Sequence, residues 1–236
     1  MLIWTWQAPE CLDALRGGRT WRCDESLATW GEDFAPAYDW LAGEMAPRVG
    51  PAPDGVRWPV WGWARYGWVD GARPDDDAMI DTGREHDYAR MLLDVPDGLA
   101  TLVDMDAWTR ITMDMPVPPP WWSLMADAPR CLAALDAWDA SLPRDPIPDG
   151  GGRRVSDGSW ACSQGNATDA VRRTWQWAFD AGRHRDAGGG QWSGKDVQAV
   201  LWELRPEWLV DGEAIHNEPH EPSWMLGDGD GEGDAG

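Results

Sequence analysis

The sequence predicts an α+β domain with one mixed or antiparallel sheet flanked by several helices, and three observations predict it. Runs of residues alternate with period two, most clearly in Trp58–Trp68 and Val197–Leu204. Other stretches repeat apolar residues at spacings of three and four, which gives a helix one buried face. Hydrophobic residues make up 43% of the 236, enough for a sizeable core in a chain of one-domain length.

The elements follow in order. Leu2 to Trp6 reads as a short opening strand. Pro9 suits the first position of a helix, with Cys11, Leu12 and Leu15 as its stripe and Gly17-Gly18 as its stop. Phe34, Tyr38, Leu41 and Met45 share one face of a second helix, with Pro36 near its start and Asp39 at its solvent edge. In the run WPVWGWARYGW, Trp61, Trp63 and Arg65 share one face, and Val60, Gly62, Ala64 and Tyr66 the other. The acidic, Gly-containing stretch from Asp70 to Arg84 reads as a loop. Met91–Val95 and Leu99–Val103 read as strands with a Pro-Asp-Gly turn between them. Trp108 starts a short helical or irregular stretch, and Pro116 to Pro120 forms a turn or rigid connector. Cys131, Leu132, Leu135, Trp138 and Leu142 mark another amphipathic helix, followed by a polar loop from Asp145 to Ser159. Thr168 caps a helix with Val171, Trp175 and Ala178 on one face, which Gly182 ends. Arg183 to Gly194 reads as a locally basic loop. The opening, WPVWGWARY and VQAVLWEL strands are expected to pair in one sheet. Residues 1–226 are read as a single globular domain with 116–164 as an insertion, and 227–236 as a disordered acidic tail.

Composition excludes several classes of function. The formal net charge is −21 and the pI about 4.3, a field that repels nucleic-acid phosphates at long range. Cys11, Cys23, Cys131 and Cys162 form no Cys-x-x-Cys pair and the His residues are scattered, so no metal site is expected. No apolar run is long enough to span a membrane, and a cytoplasmic protein with free thiols is expected. Twenty tryptophans stand against the single Lys195. Part of that bias matches a GC-rich coding sequence, but the clustering of Trp4 with Trp6, and of Trp58, Trp61, Trp63 and Trp68, is positional.

Several motifs carry a resemblance when taken together. They are the opening Leu-Ile-Trp-Thr-Trp-Gln, FAPAYDWLAGEM, WPVWGWARY, the Arg73-Pro74-Asp75 step, LLDVPDGLATLVDMDAW and VQAVLWELRPEWLV. In this order they resemble the bacterial and phage family called domain of unknown function 3841, over roughly residues 1–115 and 165–211. A weaker resemblance is to the ADP-ribosyltransferase fold, whose split sheet surrounds a nicotinamide. That resemblance implies NAD as substrate. It assigns Thr5 or Gln7 to the NAD ribose and Trp61 or Trp63 to the nicotinamide face. It assigns Gln198 or Glu203 to the late-strand position that orients the attacked ribose. Apart from the resemblance, the Arg73 guanidinium has the fork that holds a pyrophosphate bidentately. A Gln at that position lacks the charge that stabilises an oxocarbenium-like centre.

Each assignment has a structural alternative. Trp residues at period two are more often core than stacking platform. Glu203, just before Leu204 and Arg205, suits a surface ion pair, and Arg73-Pro74-Asp75 suits a turn. Arg153-Arg154 and Arg183, His184, Arg185 are short basic loops that are usually solvated. No Walker loop, GxSxG, HExxH or GxGxxG is present. Three functions therefore stand open. The first is an NAD-binding, ADP-ribosyltransferase-like enzyme that modifies nucleic acid or protein in a phage–bacterium conflict. The second is a non-enzymatic module whose aromatic cleft of Trp4, Trp6, Trp61 and Trp63 stacks one base or nucleotide. The third is an acidic inhibitor that mimics nucleic acid. Gln198 is expected half-buried and within a side-chain length of one of those four rings.

Overall fold

The computed structural model describes residues 1–25, 31–119, 137–138, 141, 167–182, 184–185 and 191–222. Seven of its strands form one antiparallel sheet. They are β1 (Leu2–Gln7), β2 (Val60–Tyr66), β3 (Val69–Asp70), β4 (His86–Asp94), β5 (Thr101–Asp104), β8 (Val197–Leu201) and β9 (Leu209–Asn217). Their order is β5-β8-β2-β1-β4-β9, with β3 paired to β2. The short strands β6 (His184–Arg185) and β7 (Gln191–Ser193) pair separately. The helices are α1 (Pro9–Arg16), α2 (Gly31–Val49), α3 (Met105–Thr112) and α4 (Asp169–Thr174).

The architecture is the α+β class that the periodicities predict. The opening, WPVWGWARY and VQAVLWEL segments lie side by side as β1, β2 and β8. Period two makes the sheet two-faced. Ile3, Val60, Ala64, Met91, Leu93, Ala199 and Leu201 point to one side and pack with Cys11, Leu12 and Leu15 of α1. On the other side Val103 and Val200 pack with Leu41 and Met45 of α2, Trp108 and Ile111 of α3, and Trp175 beyond α4.

Several local expectations are corrected. The segments around the Pro-Asp-Gly turn are strands as expected, β4 starting earlier at His86 and β5 starting at Thr101, but each pairs elsewhere: β1 and β9 occupy both edges of β4 while β5 pairs with β8. α2 starts at Gly31 and runs through Pro36. A proline there costs one backbone bond, which the long buried face of the helix offsets. α3 begins at Met105, three residues before Trp108, because the Asp104 carboxylate caps it by accepting from the Ala107 N–H. The expected loop 70–84 carries a 3-10 turn at Asp76–Ala78, and the expected loop 183–194 carries β6 and β7. Thr168 caps α4 as expected, accepting from the Val171 N–H. β9 was not anticipated from the sequence. The helix read at Cys131–Leu142, the loop at Asp145–Ser159 and the tail at 227–236 lie almost entirely outside the described residues.

A turn at Gly194–Asp196 ties β2, β5 and α3 together. Arg65 donates to the Asp70 carboxylate at 2.6 Å and to the carbonyls of Ala181 and Gly194, each at 2.8 Å. The Gly194 N–H donates to Asp104 at 2.6 Å, and the Gly67 N–H to Asp196 at 2.7 Å.

Candidate functional site

The antiparallel register places the C-terminal end of β1 beside the first residues of β2 and β4. Gln7 stands opposite Ala89, and Trp4 opposite Trp63. At this end of the sheet lies a cavity of about 540 Å³. β1 contributes Trp6 and Gln7, the entry to β2 contributes Trp58, Val60 and Trp61, and β4 contributes His86, Asp87 and Tyr88. α2 adds Tyr38, the segment after α1 adds Trp21, Cys23 and Asp24, and the turn before β4 adds Asp81 and Arg84. Six of these side chains are Trp or Tyr, which gives the cavity flat apolar walls with polar groups at a few points.

The aromatic rings are held in place. The Trp58 indole donates to Asp39 at 3.0 Å, while Arg57 grips the same carboxylate with two bonds of 3.0 Å and lies 4.7 Å over the Trp58 ring. Burial pushes the Asp39 carboxyl up, but the bonds from Arg57 and Trp58 outweigh it and hold the group below the usual range. Tyr38 packs against Trp58 at 5.4 Å and edge-on to Trp61 at 6.0 Å. Burial pushes the Tyr38 phenol up to about 12, so it is a neutral donor at pH 7. The Trp61 indole N–H opposes that rise slightly, yet it is buried without meeting hydrogen-bond geometry to any partner. Trp6 donates to Asp76 at 2.9 Å; Arg90 bridges Asp76 and Glu213 and so pins the 3-10 turn to the sheet. Asn217 donates to the carbonyls of Asp81 and Arg84, which fastens the turn carrying both side chains to the end of β9.

The polar groups leave few chemical roles open. Gln7 donates to the Thr5 hydroxyl at 2.7 Å and weakly to the Trp61 carbonyl at 3.4 Å. Its Oε1 accepts no bond within the described residues and so remains available as an acceptor. Burial raises the Cys23 thiol, and Glu25 and Asp24 raise it further, so the thiolate needed for nucleophilic attack is disfavoured. Among the described residues no group of His, Cys, Asp and Glu could hold a metal ion. No described helix is long and apolar enough to cross a membrane.

The sequence-derived candidates separate into three sets. Trp6, Gln7 and Trp61 line the cavity. Trp4, Thr5, Trp63, Arg65, Arg73 and Gln198 do not. Thr5 is buried and bonds the Trp61 carbonyl at 2.7 Å, so it supports the wall from behind. Trp4 donates to the Gly71 carbonyl, with Arg73 6.0 Å over its ring. Arg65 is spent on the structural bonds described above. Gln198 is half-buried and is the register partner of Trp63 on the same face, and its Oε1 is sequestered without a donor. Glu203 stands apart, held by Arg22 at 3.0 Å and Arg205 at 2.8 Å. Burial raises its carboxyl, but those two guanidiniums outweigh burial and keep it ionised.

Sequence reasoning missed Trp21, Tyr38, Trp58, Arg84, His86 and Tyr88 as cavity residues. Trp58 opens the same aromatic run as Trp61, which is the one signal that pointed to it. Arg84, His86 and Tyr88 reach the cavity through the pairing of β1 with β4, Trp21 through its bridge to Leu204, and Tyr38 through the packing of α2 on Trp58 and Trp61.

Comparison with curated proteins gives no match, and comparison with solved structures gives none. The stretch 165–211, which the sequence resemblance also took in, lies outside the family match. The family model described as Domain of unknown function (DUF3841) matches residues 2–118, which include every residue lining the cavity, so over that stretch the chain is similar to this family.

Proposed function

We propose that the cavity at the end of the sheet binds one small planar heterocycle of nucleotide type, a base or a nicotinamide ring, by stacking. The observation that carries this reading is the lining itself: six Trp and Tyr side chains around about 540 Å³, with the unpaired acceptor of Gln7 at one wall. Base–aromatic stacking contributes ~1–3 kcal/mol per base, so two walls suffice for a specific site. A single ring fits the charge of the protein, because a long phosphate backbone is repelled by −21.

The binding-module reading is favoured over the transferase reading. Gln198 is paired with Trp63, further along β2 from the end that lines the cavity, and Glu203 is held in an ion pair, so neither candidate for the orienting acid lines the cavity. A neutral phenol and a neutral thiol bind and shape a ligand without attacking it.

Titration of the protein with NAD, adenosine and nicotinamide, followed by Trp fluorescence and by thermal shift, tests the reading. At least one ligand is expected to quench fluorescence saturably and to raise the melting temperature. Trp21→Ala and Gln7→Ala are each expected to weaken that ligand about tenfold, the equivalent of ~1.4 kcal/mol. Trp63→Ala, outside the cavity, is expected to leave its affinity within about twofold. Equal losses in Trp63→Ala and Trp21→Ala, or no response to any of the ligands, would remove the proposal.

A further inference from the structure

The charge around the cavity narrows its ligand further. Asp24, Asp81 and Asp87 contribute carboxylates to the lining, against one guanidinium, Arg84, and one imidazole, His86. Asp87 is also bonded by His216 at 2.7 Å, and that contact raises the imidazole above its ordinary value, so the pair carries little net charge when His216 is protonated. Asp81 uses one carboxylate oxygen to accept the Gly83 N–H at 3.1 Å. The remaining surface adds to this field, since the whole chain stands at −21.

Aromatic walls and negative charge make the same demand on a ligand. The face of a Trp or Tyr ring is electron-rich and attracts a weakly hydrated organic cation held against it. A nearby carboxylate attracts the same cation and repels a phosphate. A neutral heterocycle gains the stacking but not the charge interaction. The turn carrying Asp81 and Arg84 is fastened through its backbone carbonyls by Asn217, so the stretch of chain that bears these charges is held beside the rings.

We infer that the cavity selects a positively charged planar ligand, an N-alkylated heterocycle, over its neutral parent. The inference rests on the reading that the cavity holds a planar ligand. It adds that the ligand's charge, rather than its hydrogen-bonding edge, sets the preference. Arg84 opposes this preference and limits it, so its removal is expected to sharpen it.

The test uses matched pairs that differ in charge and little in shape: 1-methylnicotinamide against nicotinamide, and 1-methyladenosine against adenosine. The full chain is titrated with each at pH 7 in low and in high salt, by calorimetry and Trp fluorescence. In at least one pair the cation is expected to bind tenfold or more tightly than its neutral parent, with the advantage shrinking in high salt. Asp81→Asn keeps an oxygen for the Gly83 N–H, so the turn is preserved; it is expected to weaken the cation several-fold and leave the neutral parent unchanged. Arg84→Gln is expected to strengthen the cation by a similar factor. If neutral and cationic members bind equally, or the neutral ones bind more tightly, charge selection is overturned while the planar-ligand reading stands. If none of the four binds, both readings fail together.

Discussion

Gly62→Val is expected to cost about 3 kcal/mol of stability, a fall of roughly 10 °C in melting temperature for a domain of this size. Gly62 lies on the α1 side of β2, opposite Ala199 of β8. A Cβ built there would overlap the Ile3 Cγ2 methyl and sit 3.0 Å from the Trp4 carbonyl oxygen. Ile3 is completely buried and cannot swing aside, and the carbonyl belongs to the neighbouring strand. Relief therefore requires β1 and β2 to separate, at the point where Thr5 and Gln7 bond the Trp61 carbonyl beside the cavity. Gly43 provides the control. It sits on the exposed side of α2 with nothing within 4 Å of an added Cβ, so Gly43→Ala is expected to be neutral or to stabilise by up to ~1 kcal/mol. Thermal and denaturant melts of the two variants decide the matter; a Gly62→Val protein that melts with the wild type would show that β1 and β2 are not packed this closely.

The elements that could be read in the sequence are those whose own pattern is sufficient. The stripe of Cys11, Leu12 and Leu15 with a glycine stop defines α1, and alternation defines β2 and β8. β9 could not be read because its pattern answers to neighbours. It is an edge strand whose Asp211, Glu213 and His216 discourage pairing with other chains, and such residues resemble a loop in sequence. Its Gly212 also reads as a turn, yet it is needed because Leu12 of α1 packs down where a Cβ would stand. Residues His86–Arg90 were missed for a similar reason, since His86, Asp87 and Arg90 interrupt the apolar pattern of a strand whose pairing with β1 and β9 supplies the regularity.

The candidate site was legible to a similar depth. Trp6, Gln7 and Trp61 sit on strands found from sequence, and they line the cavity. Tyr38, Trp21, Arg84 and Tyr88 come from four separate segments, and only the tertiary fold brings them together. Gln198 shows the limit of face arguments. Its strand, its face and its Trp neighbour follow from alternation, but alternation cannot tell which end of a sheet holds a cavity.

Asp104→Asn is expected to gain stability relative to wild type as pH rises, by ~1.5 kcal/mol between pH 5 and pH 8. Asp104 is 3% exposed and accepts the Ala107 N–H at 2.9 Å and the Gly194 N–H at 2.6 Å. Burial dominates, and it raises the carboxyl from 3.8 to about 6 despite those two bonds, which favour the ionised form. The folded protein therefore holds a proton on Asp104 at pH values where the unfolded chain has released it. Unfolding then releases a proton, and stability falls as pH rises from about 4 to about 6. The full gap corresponds to ~3 kcal/mol, of which roughly half is traversed above pH 5. Working above pH 5 also keeps the protein clear of its pI of about 4.3. Asparagine is uncharged throughout. Its single acceptor oxygen keeps one of the two N–H bonds, and its NH₂ group meets the other donor unfavourably, so the variant starts below wild type at pH 5 and closes the gap by pH 8. Asp39 and Glu203, whose carboxyls lie below the usual range, change stability in the opposite sense, but they are shared by both proteins and cancel in the difference. Urea melts of the pair at four or five pH values measure that difference directly. A difference that stays constant with pH would mean that Asp104 titrates alike in the folded and unfolded chains. The cap of α3 and the Gly194 turn would then rest on an ordinary solvated carboxylate, contrary to its burial.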